Sequence, residues 1–118
     1  VVDQQAVAEL LRHVLELDDL LAQALARRMI AGAKTPREQA TLGLRLCVSR
    51  PPQAKEVERL VTLYEEARRD FASQPEQAKQ LATVPLGAAP AGVELADLAA
   101  WTVVSNVLLN LDEVLMKR

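Results

Sequence analysis

From Leu98 to Leu111 the chain carries no charged side chain. Leu98, Ala99, Trp101, Val103, Val104, Val107, Leu108, Leu109 and Leu111 are apolar nearly all the way round a helical projection. A helix of that kind has to be enclosed, because no orientation turns a polar face to water. It opens at Glu94, behind a stretch from Val84 to Gly92 that holds Pro85, Gly87, Pro90 and Gly92 and reads as a loop. The rest of the chain must therefore supply amphipathic elements that surround this last helix.

Four such elements are legible. From Asp3 to Ala31, Val7, Leu10, Leu11, Val14, Leu17, Leu21 and Leu25 recur at spacings of three and four. Asp3 is the expected N-cap and Gly32 the expected stop. So long a run is expected to break near Leu17, with Asp18 or Asp19 capping a second piece. Thr35-Pro36-Arg37-Glu38 reads as a capped start with Pro at the first helical position. That helix runs to about Ser49, with Ala40, Leu44, Cys47 and Val48 on one face, and Arg50-Pro51-Pro52 ends it. A third helix begins near Gln53, with Val57, Leu60, Val61, Tyr64 and Phe71 on its apolar stripe. Ser73-Gln74-Pro75-Glu76 opens a short fourth, to about Thr83. The expectation is one all-α domain over residues 1–118, a bundle of about five helices with the last one central.

Composition agrees. Of 118 residues 20 are Leu and 19 Ala, while only three are aromatic. That balance disfavours an all-β sandwich or barrel, which needs β-branched and aromatic residues. Fourteen basic and 16 acidic residues give a net charge of −2, read as evenly spread. No basic cluster exceeds Arg27-Arg28 or Arg68-Arg69, so neither nucleic acid nor an anionic membrane is an expected partner. No run of about 18 uncharged apolar residues exists, so no membrane insertion is expected. A single cysteine excludes an internal disulfide and a thiolate metal cage. Val1-Val2-Asp3-Gln4-Gln5 lacks Met and a signal-like segment, so the chain is expected to begin mid-protein or after processing, as a fragment of something longer.

Residues able to carry chemistry are few. His13 is the sole histidine, placed among Glu9, Arg12 and Glu16, and reads as a helix-flank residue. Cys47 falls on an apolar face and reads as a small hydrophobe. Glu94 and Asp97 share a helix face, as paired carboxylates would, but their place in a first helical turn accounts for them. Trp101, Asn106 and Asn110 either make structural hydrogen bonds or line a pocket beside the last helix. Arg50 is expected to pair with Asp112 or Glu113 and hold the turn against the end of that helix. No catalytic, metal or cofactor-binding residue is assigned. Glycine-rich phosphate loops, CxxCH, GxSxG and HExxH are absent from the sequence.

Two segments together resemble a known family. Ala24-Leu25-Ala26-Arg27-Arg28-Met29 leads into Thr35-Pro36-Arg37-Glu38, Leu44 to Pro52 and Glu56-Val57-Glu58-Arg59-Leu60. The second segment runs from Glu94 to Glu113, and its Ala100–Leu115 stretch, AWTVVSNVLLNLDEVL, is the most specific part. From about Asp18 onward the chain resembles the C-terminal helical domain of unknown function in large secreted planctomycete-type proteins. Many of those proteins carry a cytochrome-c-like domain upstream. The resemblance implies export, to the periplasm or the outside, and a multidomain parent. It brings no catalytic residues. It places haem in an upstream or partner domain, and no cofactor in this chain.

The expected role is a non-catalytic structural or interaction module, or a subunit of a larger, exported assembly. Its partners would be the parent's other domains or other protein subunits. Leu15 and Leu20 are the candidate interaction residues, because they lie off the main stripe of the first helix. The alternatives are a small-molecule or cofactor-binding bundle, or an accessory domain completing an enzyme active site in the parent. The latter would draw on Glu94, Asp97, Asp112 and Glu113.

Overall fold

A computed structural model describes the backbone of residues 4–111, and the side chains of residues 4–6 and 19–111. Among these residues the chain forms five α-helices: α1 (Gln4–Gly32), α2 (Pro36–Cys47), α3 (Ala54–Ala72), α4 (Pro75–Thr83) and α5 (Leu95–Leu109). Asp3, Asp112 and Glu113 lie outside the described residues, and the side chains of His13 and Leu15 do too.

Helix α5 is the hub expected from its uncharged sequence. Leu98, Ala99, Ala100, Trp101, Val104 and Leu108 are fully buried, and α1, α3 and α4 pack round them. Its polar interruptions are accommodated locally. Thr102 Oγ1 donates to the Leu98 carbonyl one turn back, at 2.8 Å, and the Ser105 hydroxyl lies 3.7 Å from Met29 Sδ.

Helix α1 is one continuous helix of 29 residues, so the break expected near Leu17–Asp19 does not occur. No Gly or Pro stands between Gln4 and Ala31, and an aspartate costs a helix interior only a fraction of a kcal/mol. The Gly32 stop is where the sequence puts it. The face that α1 buries differs from the leucine stripe. Ala22, Gln23, Ala26 and Met29 are buried, Leu25 and Ile30 are half-buried, and Leu21 is 54% exposed. Small side chains at Ala22 and Ala26 allow close approach of neighbouring helices, and Leu21 points about 100° away from Ala22.

Helix α2 starts with the capping box that Thr35 and Glu38 encode. It ends at Cys47, two residues sooner than expected, because Val48 is extended and its N–H caps the Leu44 carbonyl at 2.8 Å. Gly43 marks the tightest crossing. A Cβ there would lie 2.8 Å from Met29 Cε and 2.9 Å from Leu108 Cδ1, so α1, α2 and α5 meet where only hydrogen fits without movement. Between α4 and α5 the chain turns through a cis Val84–Pro85 bond and two positive-φ glycines, Gly87 and Gly92.

Candidate functional site

The residues with chemical potential fall into three separate groups, each at a helix junction. The first joins α3 to the start of α5. Tyr64 stacks on Trp101, with ring centroids 4.2 Å apart. The Tyr64 hydroxyl donates a short hydrogen bond to Asp97 Oδ1. Arg68, one turn further along α3, donates from Nη2 to Glu94 Oε1 at 2.7 Å and places Nε 3.8 Å from Asp97. Glu94 and Asp97 thus do not face each other as a catalytic carboxylate pair. One anchors an arginine and the other a phenol, and both sit at the amino end of α5, where negative charge is favoured. Burial, and then the Asp97 carboxylate beside it, push the Tyr64 phenol well above its ordinary value.

The second group pins the α4–α5 loop to α1. The Gln23 side chain, 1% exposed, donates from Nε2 to the carbonyls of Leu81 at 2.7 Å and Val84 at 2.5 Å. Its Oε1 accepts the Leu86 N–H at 3.0 Å. One turn on, Arg27 Nη2 donates to the Gly87 carbonyl at 2.5 Å and the Ala82 carbonyl at 3.3 Å. These two side chains meet carbonyls that α4 leaves without intrahelical partners as it ends, together with the turn that follows. Sequence reasoning missed both. The available signal was Gln and Arg four apart, beside Ala22 and Ala26, but a solvated helix face looks the same.

The third group is Arg50 with Glu56. Arg50 forms a two-pronged contact with the Glu56 carboxylate, at 2.8 and 2.5 Å. The Gln53 N–H at the start of α3 also donates to Glu56 Oε1, at 3.0 Å. Arg50 was expected to meet Asp112 or Glu113, which lie outside the described residues. Among the described residues it meets an acid of α3, and that pair closes the Pro51-Pro52 turn on itself. These hydrogen bonds, from Arg50 first and Gln53 next, hold the Glu56 carboxyl at about 2.

The residues proposed to line a pocket do not converge. Trp101 is fully buried under Tyr64. Asn110 is exposed, and its Nδ2 donates to the Asn106 carbonyl at 2.7 Å where α5 ends. On a helix, position 110 lies about 180° round and roughly 13 Å along from position 101. Asn106 is half-buried, so neither amide is the enclosed polar group that the sequence suggested. The Trp101 indole N–H finds no hydrogen-bond partner among the described residues. Cys47 is half-buried, and desolvation raises its thiol, the opposite of what a nucleophile needs.

Among the described residues no three His, Cys, Asp or Glu side chains gather as metal ligands, and no helix is long and apolar enough to cross a membrane. Of the two candidate interaction residues, the Leu15 side chain lies outside the described residues and Leu20 is half-buried; among the described leucines of α1, Leu21 is the one turned to solvent. Nor is the charge evenly spread. Residues 20–50 hold Arg27, Arg28, Lys34, Arg37, Arg45 and Arg50 against Glu38 alone. Residues 1–19 hold Asp3, Glu9, Glu16, Asp18 and Asp19 against Arg12. Compared with known proteins, the chain matches no family model, no curated protein and no solved structure.

Proposed function

We propose that this chain is a non-catalytic interaction module that docks through helix α1 within a larger assembly. The observation that carries the reading is Leu21. It is 54% exposed on the longest helix, while the ionisable groups at the helix junctions are engaged in structural bonds. A large apolar side chain held out of the core is what a docking face requires, since its burial on binding gains about 1.5–3 kcal/mol. The exported, multidomain setting belongs to the same proposal. Its support is the resemblance of Ala100–Leu115 to planctomycete-type C-terminal domains, and any haem would sit in an upstream or partner domain.

The test places a photo-crosslinking amino acid at position 21 of the native protein in its own host. A discrete adduct with one polypeptide is expected, or an intramolecular crosslink to another domain of the parent, mapped by mass spectrometry. Absence of any adduct, with the labelled protein folded and present at native levels, would overturn the reading.

A further inference from the structure

The surplus of basic residues between positions 20 and 50 has a focus, outside the three junction groups. Between the end of α1 and the solvent side of α2 lies an open cleft of about 430 Å³, lined by Gly32, Ala33, Arg37, Thr41, Leu42 and Arg45, and by Glu38. Arg37, Thr41 and Arg45 recur every four residues, so they stand on one side of α2. Both arginines are exposed. Two helical turns part them, about 12 Å along the axis, so both side chains can lean toward a group lying over Thr41. The two helices touch at the cleft itself, where a Cβ on Gly32 would come within 2.6 Å of Leu42 Cδ2.

Local rules do not account for this charge. Arg37 stands in the first turn of α2, where the helix dipole favours acids and disfavours cations. The carboxyl end of α1 attracts cations, but the side chain that meets it is Gln39, whose Nε2 donates to the Ala33 carbonyl at 3.0 Å. Among the described residues Arg28, Lys34, Arg37 and Arg45 form no ion pair. Glu38 has its Oε1 occupied by the Thr35 N–H and hydroxyl, at 3.3 and 2.9 Å. The Thr41 hydroxyl donates to the Arg37 carbonyl at 2.8 Å, which leaves the guanidinium groups as the side-chain donors a ligand would meet. A position that breaks a local preference with no gain inside the fold marks a functional position.

We infer that this cleft binds a small phosphorylated ligand, with Arg37 and Arg45 holding its phosphate group. The planar guanidinium fork matches phosphate oxygens two at a time, and two such forks converge on one group here. Arg28, one turn before Gly32, and Lys34, next to Ala33, add charge beside the cleft. Four cations against one engaged carboxylate suit an anion of more than one charge, as a phosphate or diphosphate is at neutral pH. The volume is that of a small-molecule site. No aromatic ring lines it, so the grip is on the phosphate rather than on a stacked base or sugar. Gly32 lies about 16 Å along α1 from Leu21, so the site stands apart from the docking face and does not rest on that reading.

The test titrates pyrophosphate into the nitrogen-15-labelled full chain at ~0.15 M NaCl, where the Debye length is about 8 Å, and follows backbone and arginine Nε resonances. Saturable shifts centred on Gly32, Arg37, Thr41 and Arg45 are expected. Arg37→Gln and Arg45→Gln should each weaken binding at least tenfold with unchanged helical circular dichroism, since both side chains are exposed. Arg37→Lys, which keeps the charge but loses the fork, should weaken it as well. Arg59→Gln, an exposed arginine of α3, should change nothing. Succinate should bind at least tenfold more weakly than pyrophosphate. No saturation below ~10 mM pyrophosphate overturns the site. So do shifts spread equally over Lys55, Arg59, Arg69 and Lys79, which would show diffuse attraction to basic surface. Succinate binding as tightly as pyrophosphate overturns the assignment to phosphate. Sedimentation of the chain with phosphatidic acid vesicles, when pyrophosphate leaves the spectrum unmoved, overturns a soluble ligand in favour of a lipid headgroup.

Discussion

Tyr64 lies nearly flat on Trp101, with ring planes 17° from parallel and centroids 4.2 Å apart. Two of the chain's three aromatic side chains are thus invested in one contact, between α3 and the central helix. Trp101 is fully buried, and Tyr64 is 8% exposed. The contact joins apolar burial to the stacking preference of offset rings. Trp101→Ala is expected to cost about 3–5 kcal/mol in urea unfolding, since a cavity of that size cannot collapse fully. A loss below about 1 kcal/mol would show that α5 repacks without its tryptophan.

The same tyrosine predicts a loss of stability in alkali. Its folded value lies above the ordinary 10, because burial and then Asp97 favour the neutral phenol. That preference contributes stability in full below pH 10 and is lost as the pH climbs past it toward the folded value. Wild-type protein should therefore lose stability above pH 10 more steeply than Tyr64→Phe. At neutral pH the variant should be less stable by about 1.5–3 kcal/mol, the worth of a hydrogen bond to a carboxylate. Parallel curves for the two proteins between pH 9 and 12 would show that Tyr64 ionises freely.

How much of this was legible in the sequence follows from which interactions are local. The Thr35–Glu38 capping box, the Pro75 start and the Pro and Gly residues around α5 act within a few positions, so residue types reveal them. The uncharged run of α5 declares its own burial. The inner face of α1 does not. Its leucines recur on more than one side, and the face it buries carries small residues, Ala22 and Ala26, while Leu21 stays out. The partners of Gln23 lie 58 to 63 positions away and are backbone groups, which no side-chain pattern can announce. Arg50 illustrates a middle case. A charged residue before two prolines invited a partner, and one of its partners, Glu56, stands six positions on at a helix start whose acids read as a solvated face.

Gln23 offers the sharpest single-atom test. Its amide donates twice and accepts once, and that set of partners dictates which end is nitrogen. Gln23→Glu keeps the shape and replaces the donating nitrogen with an oxygen. At neutral pH a carboxylate would then face the carbonyls of Leu81 and Val84. The expected cost is about 3 kcal/mol at pH 7, and protonating the glutamate in acid should relieve part of it. Hydrogen exchange at the Leu86 amide should quicken in the variant. An unchanged melting temperature would mean that the loop after α4 is held without this side chain.

Glu56 sets the behaviour in acid. Its carboxyl sits at about 2, below the ordinary 4.5, because Arg50 and the Gln53 N–H bond its charged form. A carboxyl lowered by folding contributes stability above its unfolded value, and that contribution drains away as the pH falls from 4.5 toward 2. A carboxyl-carbon NMR titration should place the Glu56 midpoint near 2 in the wild type and move it back toward 4.5 in Arg50→Gln. Glu56→Gln should lose less stability than the wild type across that interval, because it has no proton to take up. A wild-type midpoint near 4.5 would mean that the Arg50–Glu56 contact is open in solution and does not fasten the Pro51-Pro52 turn to α3.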